Sequence, residues 1–95
     1  MIGKIVRRRL TFSGTVQGVG FRWRAKTAAS SLGLTGWVEN RRDGSVVMEV
    51  QGTQHAITRL ILTLKSARYI EIDSVRNEPL PVVEKEDGFT VHSAW

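Results

Sequence analysis

The sequence predicts an α+β sandwich of the ferredoxin-like, split βαβ plan. A βαββαβ chain would form a four-stranded antiparallel sheet, with room for a short fifth strand, and carry two helices on one face. Two observations carry this reading. Apolar residues alternate with period two along four stretches and recur with helical spacing along two others, and turn-forming residues separate these stretches at short intervals. The 95 residues suit one domain spanning 1–95, with no repeat or low-complexity segment to mark a boundary.

The first strand is expected near residues 5–13, where Val6, Leu10 and Phe12 take one parity and Arg7, Arg9 and Thr11 the other. Arg7, Arg8 and Arg9 read most simply as an exposed strand face with one inward or edge position; Arg8 shares the parity of Leu10, which the pattern explains only if it lies beyond the core edge. Phe21, Ala25, Ala28, Ala29 and Leu32 fall on one face of a helix over about 21–32, and Gly33 suits the position just past its end. A second strand follows over 35–41, with Val38 and Asn40 on one face and Trp37 and Glu39 on the other. Asp43-Gly44 is a strong hairpin signal leading into a third strand, in which Val46, Met48 and Val50 alternate with Val47, Glu49 and Gln51 up to Gly52.

Thr53 suits the N-cap of a second helix, whose stripe of Ala56, Ile57, Leu60, Ile61 and Leu64 runs to about Ser66. Tyr69–Arg76 reads as a strand with Ile70 and Ile72 inward, and the parity slip at Val75 marks a bulge or the strand's end. Pro79, Pro81 and the cluster Glu84-Lys85-Glu86-Asp87 give residues 77–87 the composition of a solvated loop, after which Phe89–His92 is able to close the sheet.

The absence of cysteine removes disulfides, thiolate nucleophiles and zinc-thiolate sites together. No apolar run reaches signal-peptide or membrane-spanning length, so a soluble, cytoplasmic protein without membrane association is expected, with a monomer as the starting assumption. Residues 1–42 hold nine Lys/Arg against Glu39 alone, whereas residues 43–95 hold five against eight acids. An anionic ligand is therefore expected in the first half of the chain.

That half contains Gly14, Gly18 and Gly20 between a strand and a helix start. Such a run lets successive backbone amides turn toward one point, and the helix N-terminus adds its own unpaired N–H groups and partial positive charge. The backbone of this glycine-rich run is thus a candidate phosphate cradle. Arg22, in the first helical turn, is placed to grip the same anion with its planar fork. Asn40 lies late in a strand that begins where the helix ends, so that strand's far end returns toward the cradle, where an amide can hold a water beside bound phosphate.

The segments Gly14-Thr15-Val16-Gln17-Gly18-Val19-Gly20-Phe21-Arg22 and Leu32-Gly33-Leu34-Thr35-Gly36-Trp37-Val38-Glu39-Asn40, followed by Asp43-Gly44 and Gly52, resemble the two signatures of the acylphosphatase family. The match is specific from Gly14 to Gly52 and loose after Thr53. It implies hydrolysis of the carboxyl–phosphate bond of acyl phosphates without metal or cofactor. It also implies that Arg22 and the backbone amides of Thr15, Val16, Gln17, Gly18, Val19 and Gly20 bind the phosphoryl group, and that Asn40 positions the attacking water. Inorganic phosphate would be the product, and sulfate its mimic. Gly20 departs from the aromatic residue often found there in the family, which would loosen the cradle wall or open it to substrate.

Other readings attach to the same residues. The basic half and the element order also suit an RNA-binding domain, but the only sheet aromatics available for base stacking are Trp37 and Tyr69. A non-catalytic phosphate- or carbamoyl-phosphate-binding module of the same fold is the other alternative. Trp37 reads as packing and Gly36 as a site of close backbone approach. His55 and His92 read as surface or edge residues, too far apart in sequence to suggest a metal site.

Overall fold

The computed structural model describes residues 3–92. Its elements are β1 (Ile5–Thr15), α1 (Phe21–Ser31), β2 (Thr35–Asn40), β3 (Val46–Thr53), α2 (Gln54–Lys65), β4 (Glu71–Leu80) and β5 (Phe89–Val91). The sheet order is β4-β1-β3-β2-β5. β1 pairs antiparallel with β3 and β4, and β2 pairs antiparallel with β3. β5 runs parallel to β2, so the expected antiparallel sheet is a mixed one of five strands. No helix among the described residues is long and apolar enough to cross a membrane.

Leu10 and Phe12 of β1, Val38 of β2 and Val46, Met48 and Val50 of β3 are fully buried, as the period-two pattern requires. They meet Phe21, Ala25 and Ala29 of α1 and Ile57, Leu60 and Leu64 of α2 in one cluster. The Phe12 and Phe21 rings pack tilted, with centroids 4.9 Å apart, and so fix the two ends of the segment that joins β1 to α1.

Both helix ends expected from sequence are built as their chemistry suggests. The Thr53 hydroxyl accepts from the Ala56 amide at 3.2 Å. At the end of α1, Gly33 is left-handed with φ 71°, its amide donates to Ser30 O at 3.2 Å, and the Leu34 amide donates to Ala29 O at 2.9 Å. These two bonds form a Schellman motif.

Four expectations need correction. β4 starts after Tyr69, which sits in a left-handed turn with φ 70°, and it continues through Asn77, Glu78 and Pro79 to Leu80 rather than becoming a loop. β4 is an edge strand, where alternate amides face away from the sheet and a proline is tolerated. Of the two readings of the parity slip the bulge holds, and it lies inside this longer strand: Ser13 pairs with Ser74 but Gly14 pairs with Ile72, leaving Asp73 extra. Gly14 answers to this bulge and not to the cradle, because a Cβ on it would strike the Glu71 carbonyl oxygen. Gly36 likewise lies against the Glu49 carbonyl of the neighbouring strand.

The remaining correction concerns Arg7 and the acidic segment before β5. Arg7 is 3% exposed. Its guanidinium donates to Glu49 at 3.1 Å, to Gln51 at 3.2 Å and to Glu86 at 2.8 Å, so Glu86 is a structural partner within a segment read as solvated. The hydrogen bond from Arg7 holds the Glu86 carboxyl below the usual carboxylate range. Burial pushes Glu49 upward, but hydrogen bonds from Arg9 and Arg7 outweigh it and leave that carboxyl lowered as well.

Both groups bind protons more readily in the unfolded chain, so their contribution is complete above the unfolded carboxylate pKa of about 4.3 and is lost as pH falls through the folded values. Thermal melts should therefore show stability falling below that point. Glu86→Gln should lower stability by about 1 kcal/mol at neutral pH, which is several degrees in Tm for a domain of this size, and should flatten the acid limb. An unchanged acid limb in that variant would dismiss the network as its source.

Candidate active site

β1 delivers the chain into residues 16–20, and α1 takes it out again. Val16 is 1% exposed and roots the loop in the core, while half-buried Val19 packs against the same cluster. Between and after them Gly18 and Gly20 adopt φ 74° and 77°. Neither has an atom of the described residues within 4 Å of where a Cβ would stand, so it is the left-handed backbone, not crowding, that selects glycine. Gly20 is the N-cap of α1, with no side-chain cap bond and no acidic residue in the first turn. The positive end of the helix is therefore open to an external anion.

A cleft of about 500 Å3 lies over this helix start, lined by Val16, Gly18, Gly20, Phe21, Arg22, Trp23, Lys26, Asn40 and Val91. Arg22 and Asn40, expected together from sequence, do meet here. Arg22 is half-buried, and its Nη1 donates to the His92 carbonyl at 2.8 Å. Asn40 is the last residue of β2, opposite Val46, and its side-chain amide has no hydrogen-bond partner among the described residues. Among the described residues the lining includes no carboxylate, imidazole or thiol.

Of the residues assigned to the cradle, Val16, Gly18 and Gly20 line the cleft. Thr15 is the final residue of β1, paired with Glu71, and Val19 packs inward. Gln17 has a role that its backbone assignment missed. Its Nε2 donates to Arg41 O at 2.7 Å and to Ser45 O at 2.8 Å, tying the cradle to the hairpin that follows Asn40. That hairpin is itself closed by Asp43 Oδ1, which accepts from the Ser45 amide at 2.9 Å and the Ser45 hydroxyl at 2.6 Å. These bonds hold the Asp43 carboxyl below its ordinary range.

The second missed contact is the Arg22 anchor. His92 continues past β5, its amide donating to Val38 O at 2.8 Å. Its ring stacks on Trp37 at 4.8 Å and 8°, with Nδ1 2.9 Å from Glu39 Oε1. Trp37 is thus packing, as read, and His92 is an edge residue whose backbone oxygen orients Arg22. Trp23 and Lys26 were not singled out by any motif, because one exposed aromatic and one exposed lysine on a helix carry no signal without the cleft beside them.

The sequence matches the acylphosphatase family model over residues 8–91. An acylphosphatase of Bifidobacterium longum is 40% identical over 82 residues, covering 85% of this chain and 84% of that protein. One from Caldivirga maquilingensis is 42% identical over 92 residues, covering 95% and 97%. The crystal structure of acylphosphatase from Bacillus subtilis superposes with a TM-score of 0.85 at 26% identity, over 95% of this chain and 100% of that one. With both signatures folded around one cleft and relatives matched along nearly their whole length, the chain belongs to the acylphosphatase family.

Proposed function

We propose that the protein hydrolyses the carboxyl–phosphate bond of small acyl phosphates without a metal ion, with Arg22 and the cradle amides holding the phosphoryl group and Asn40 holding the water. The observation that carries this reading is the meeting of Arg22 and Asn40 across a cleft that opens on an uncapped helix start. An acyl phosphate is a mixed anhydride whose leaving group is a carboxylate, a weak base that departs without a proton. Catalysis then reduces to stabilising charge on the equatorial phosphoryl oxygens and setting water in line.

Arg22 and the open amides supply the first requirement. The Asn40 amide supplies the second, and since it takes no proton at neutral pH, a phosphoryl oxygen accepts the water's proton as the new P–O bond forms and the P–O bond to the acyl oxygen breaks. The products are the carboxylate and inorganic phosphate, and phosphate or sulfate should compete for the cradle. Trp37, the aromatic that a base-stacking reading would need on the sheet, is already stacked on His92.

Purified protein incubated with a synthetic aryl acyl phosphate and excess chelator should release phosphate at an enzymatic rate, with inorganic phosphate as a competitive inhibitor. Folded protein that gives no turnover, or turnover abolished by chelator and restored by a divalent cation, would sink the proposal.

A further inference from the structure

The charges of this molecule are sorted by layer. No acid occurs between Phe21 and Val38 or between Val50 and Ile70, so α1 and α2 carry no aspartate or glutamate at all. Every ion pair among the described residues belongs to the sheet and the segments beside it: Arg7 and Arg9 with Glu49, Arg7 with Glu86, Arg41 and His92 with Glu39, Arg76 with Glu78. Arg24, Lys26, Arg59, Lys65 and Arg68 are exposed on the helical side and have no carboxylate partner among those residues. A one-signed surface of this kind works against the fold. An acid in the first turn would complement the helix dipole, and acid–base pairs four residues apart would support each helix, but neither helix has them.

α1 joins β1 to β2 and α2 joins β3 to β4, and strand pairing sets β1 and β2 in one direction and β3 and β4 in the other. The two helices therefore run antiparallel, and the start of α1 lies at the same end of the layer as the end of α2. Between them is a groove of about 290 Å3, lined by Arg24, Thr27, Ser31, Arg59 and Thr63 over Ala28 and Leu32. Its short hydroxyl side chains leave room for a chain to pass between the two guanidinium groups. At the end where α1 starts, Trp23 is 70% exposed and Tyr69 72%. Tyr69 holds a left-handed φ of 70° that glycine would adopt without strain, and the Arg68 guanidinium carbon lies 5.6 Å from its ring centroid. A bulky aromatic kept outward on strained backbone marks a contact to be made.

We infer that the α1–α2 layer binds single-stranded nucleic acid without regard to base sequence. Arg24 and Arg59 hold the phosphodiester backbone along the groove, Lys65 and Arg68 meet the phosphates beyond it, and bases stack on Tyr69 and Trp23. Leu62 is the one large aliphatic side chain exposed on either helix, too little for a face that inserts into lipid. Arg24 and Arg59 line the groove and not the hydrolytic cleft, so this binding stands apart from the acyl phosphate reading.

Fluorescence anisotropy of a labelled, unpaired RNA of about twelve nucleotides tests it. The native protein should bind with a Kd on the order of 10 μM at 50 mM salt, and affinity should fall about thirtyfold by 200 mM, the slope of about three or four phosphate contacts. Arg24→Gln combined with Arg59→Gln should weaken binding at least about tenfold and make its salt dependence shallower, with acyl phosphate hydrolysis within about twofold of native. Lys4→Gln combined with Arg76→Gln removes an equal charge from outside the helices and should change RNA affinity less than about twofold. Tyr69→Gly should weaken binding about tenfold without lowering Tm, because it relieves the left-handed strain as it removes the ring.

Absence of RNA binding at low salt overturns the site. An equal loss in the variant lacking Lys4 and Arg76 assigns binding to net charge alone, and equal affinity for a duplex that Tyr69→Gly leaves unchanged removes the single-strand assignment; each overturns it. A fall in kcat/KM that matches the fall in RNA affinity when Arg24 and Arg59 are replaced makes the layer a steering field for the small anionic substrate. Protein that sediments with phosphatidylserine–phosphatidylcholine vesicles yet leaves the RNA free makes it a membrane face. Both of these results overturn the inference as well.

Discussion

Asn40→Ala should lower kcat for acyl phosphate hydrolysis by about a hundredfold or more, the scale of removing one preorganised polar group from a transition state, while phosphate binding stays within about twofold of native. The separation follows from geometry. Asn40 ends β2 and reaches the cleft from the hairpin side, while the helix start and Arg22 approach from α1. Because its amide has no partner among the described residues, truncation breaks no hydrogen bond of the fold, and Tm should barely move. Asn40→Asp should be worse for binding than alanine, since a carboxylate would repel the phosphoryl oxygens. Calorimetric titration with phosphate alongside steady-state kinetics reads both quantities. Should phosphate affinity fall as far as turnover, Asn40 is a phosphate ligand and the water needs another holder.

Arg22→Ala should cost more, about a thousandfold in kcat/KM, with phosphate binding weakened in the same variant, because a cation on a transferring phosphoryl group acts in ground state and transition state alike. Arg22→Lys should recover little. The guanidinium uses one nitrogen on the His92 carbonyl and leaves the others for the anion, whereas an ammonium cannot meet both with a rigid fork. A lysine variant with near-native kcat/KM would show that charge alone suffices and that the anchoring carbonyl is incidental.

Much of this molecule is legible in local pattern. Val46, Met48 and Val50 announce a strand and Ile57, Leu60 and Leu64 a helix, because each face sees one environment along its whole length. Arg22 and Asn40 are legible for a different reason: each lies at the end of an element whose direction is fixed by its neighbours, so their convergence follows from topology. The misreadings involve contacts between segments far apart in sequence. Arg7 has the parity of a solvent-facing residue, and its bonds to Glu49 on β3 and to Glu86, seventy-nine residues on, turn that face into a buried ionic one. Pro79 reads as a loop until β4 is known to be an edge. The Gln17 side chain could not be assigned without the two carbonyls, at Arg41 and Ser45, that the hairpin turns toward it.

The anchoring of Arg22 on His92 also sets the order in which competence is acquired. The contact closes a loop of seventy residues onto a three-residue parallel strand at the sheet edge, the kind of pairing that long loop-closure delays. Helices α1 and α2 and the central strands have the core to drive their docking; β5 contributes chiefly Phe89. In refolding from denaturant, recovery of hydrolysis should lag behind recovery of helical circular dichroism, and near the thermal midpoint it should disappear first. Turnover thus reports on the arrival and departure of the last strand, while the spectrum reports on the rest.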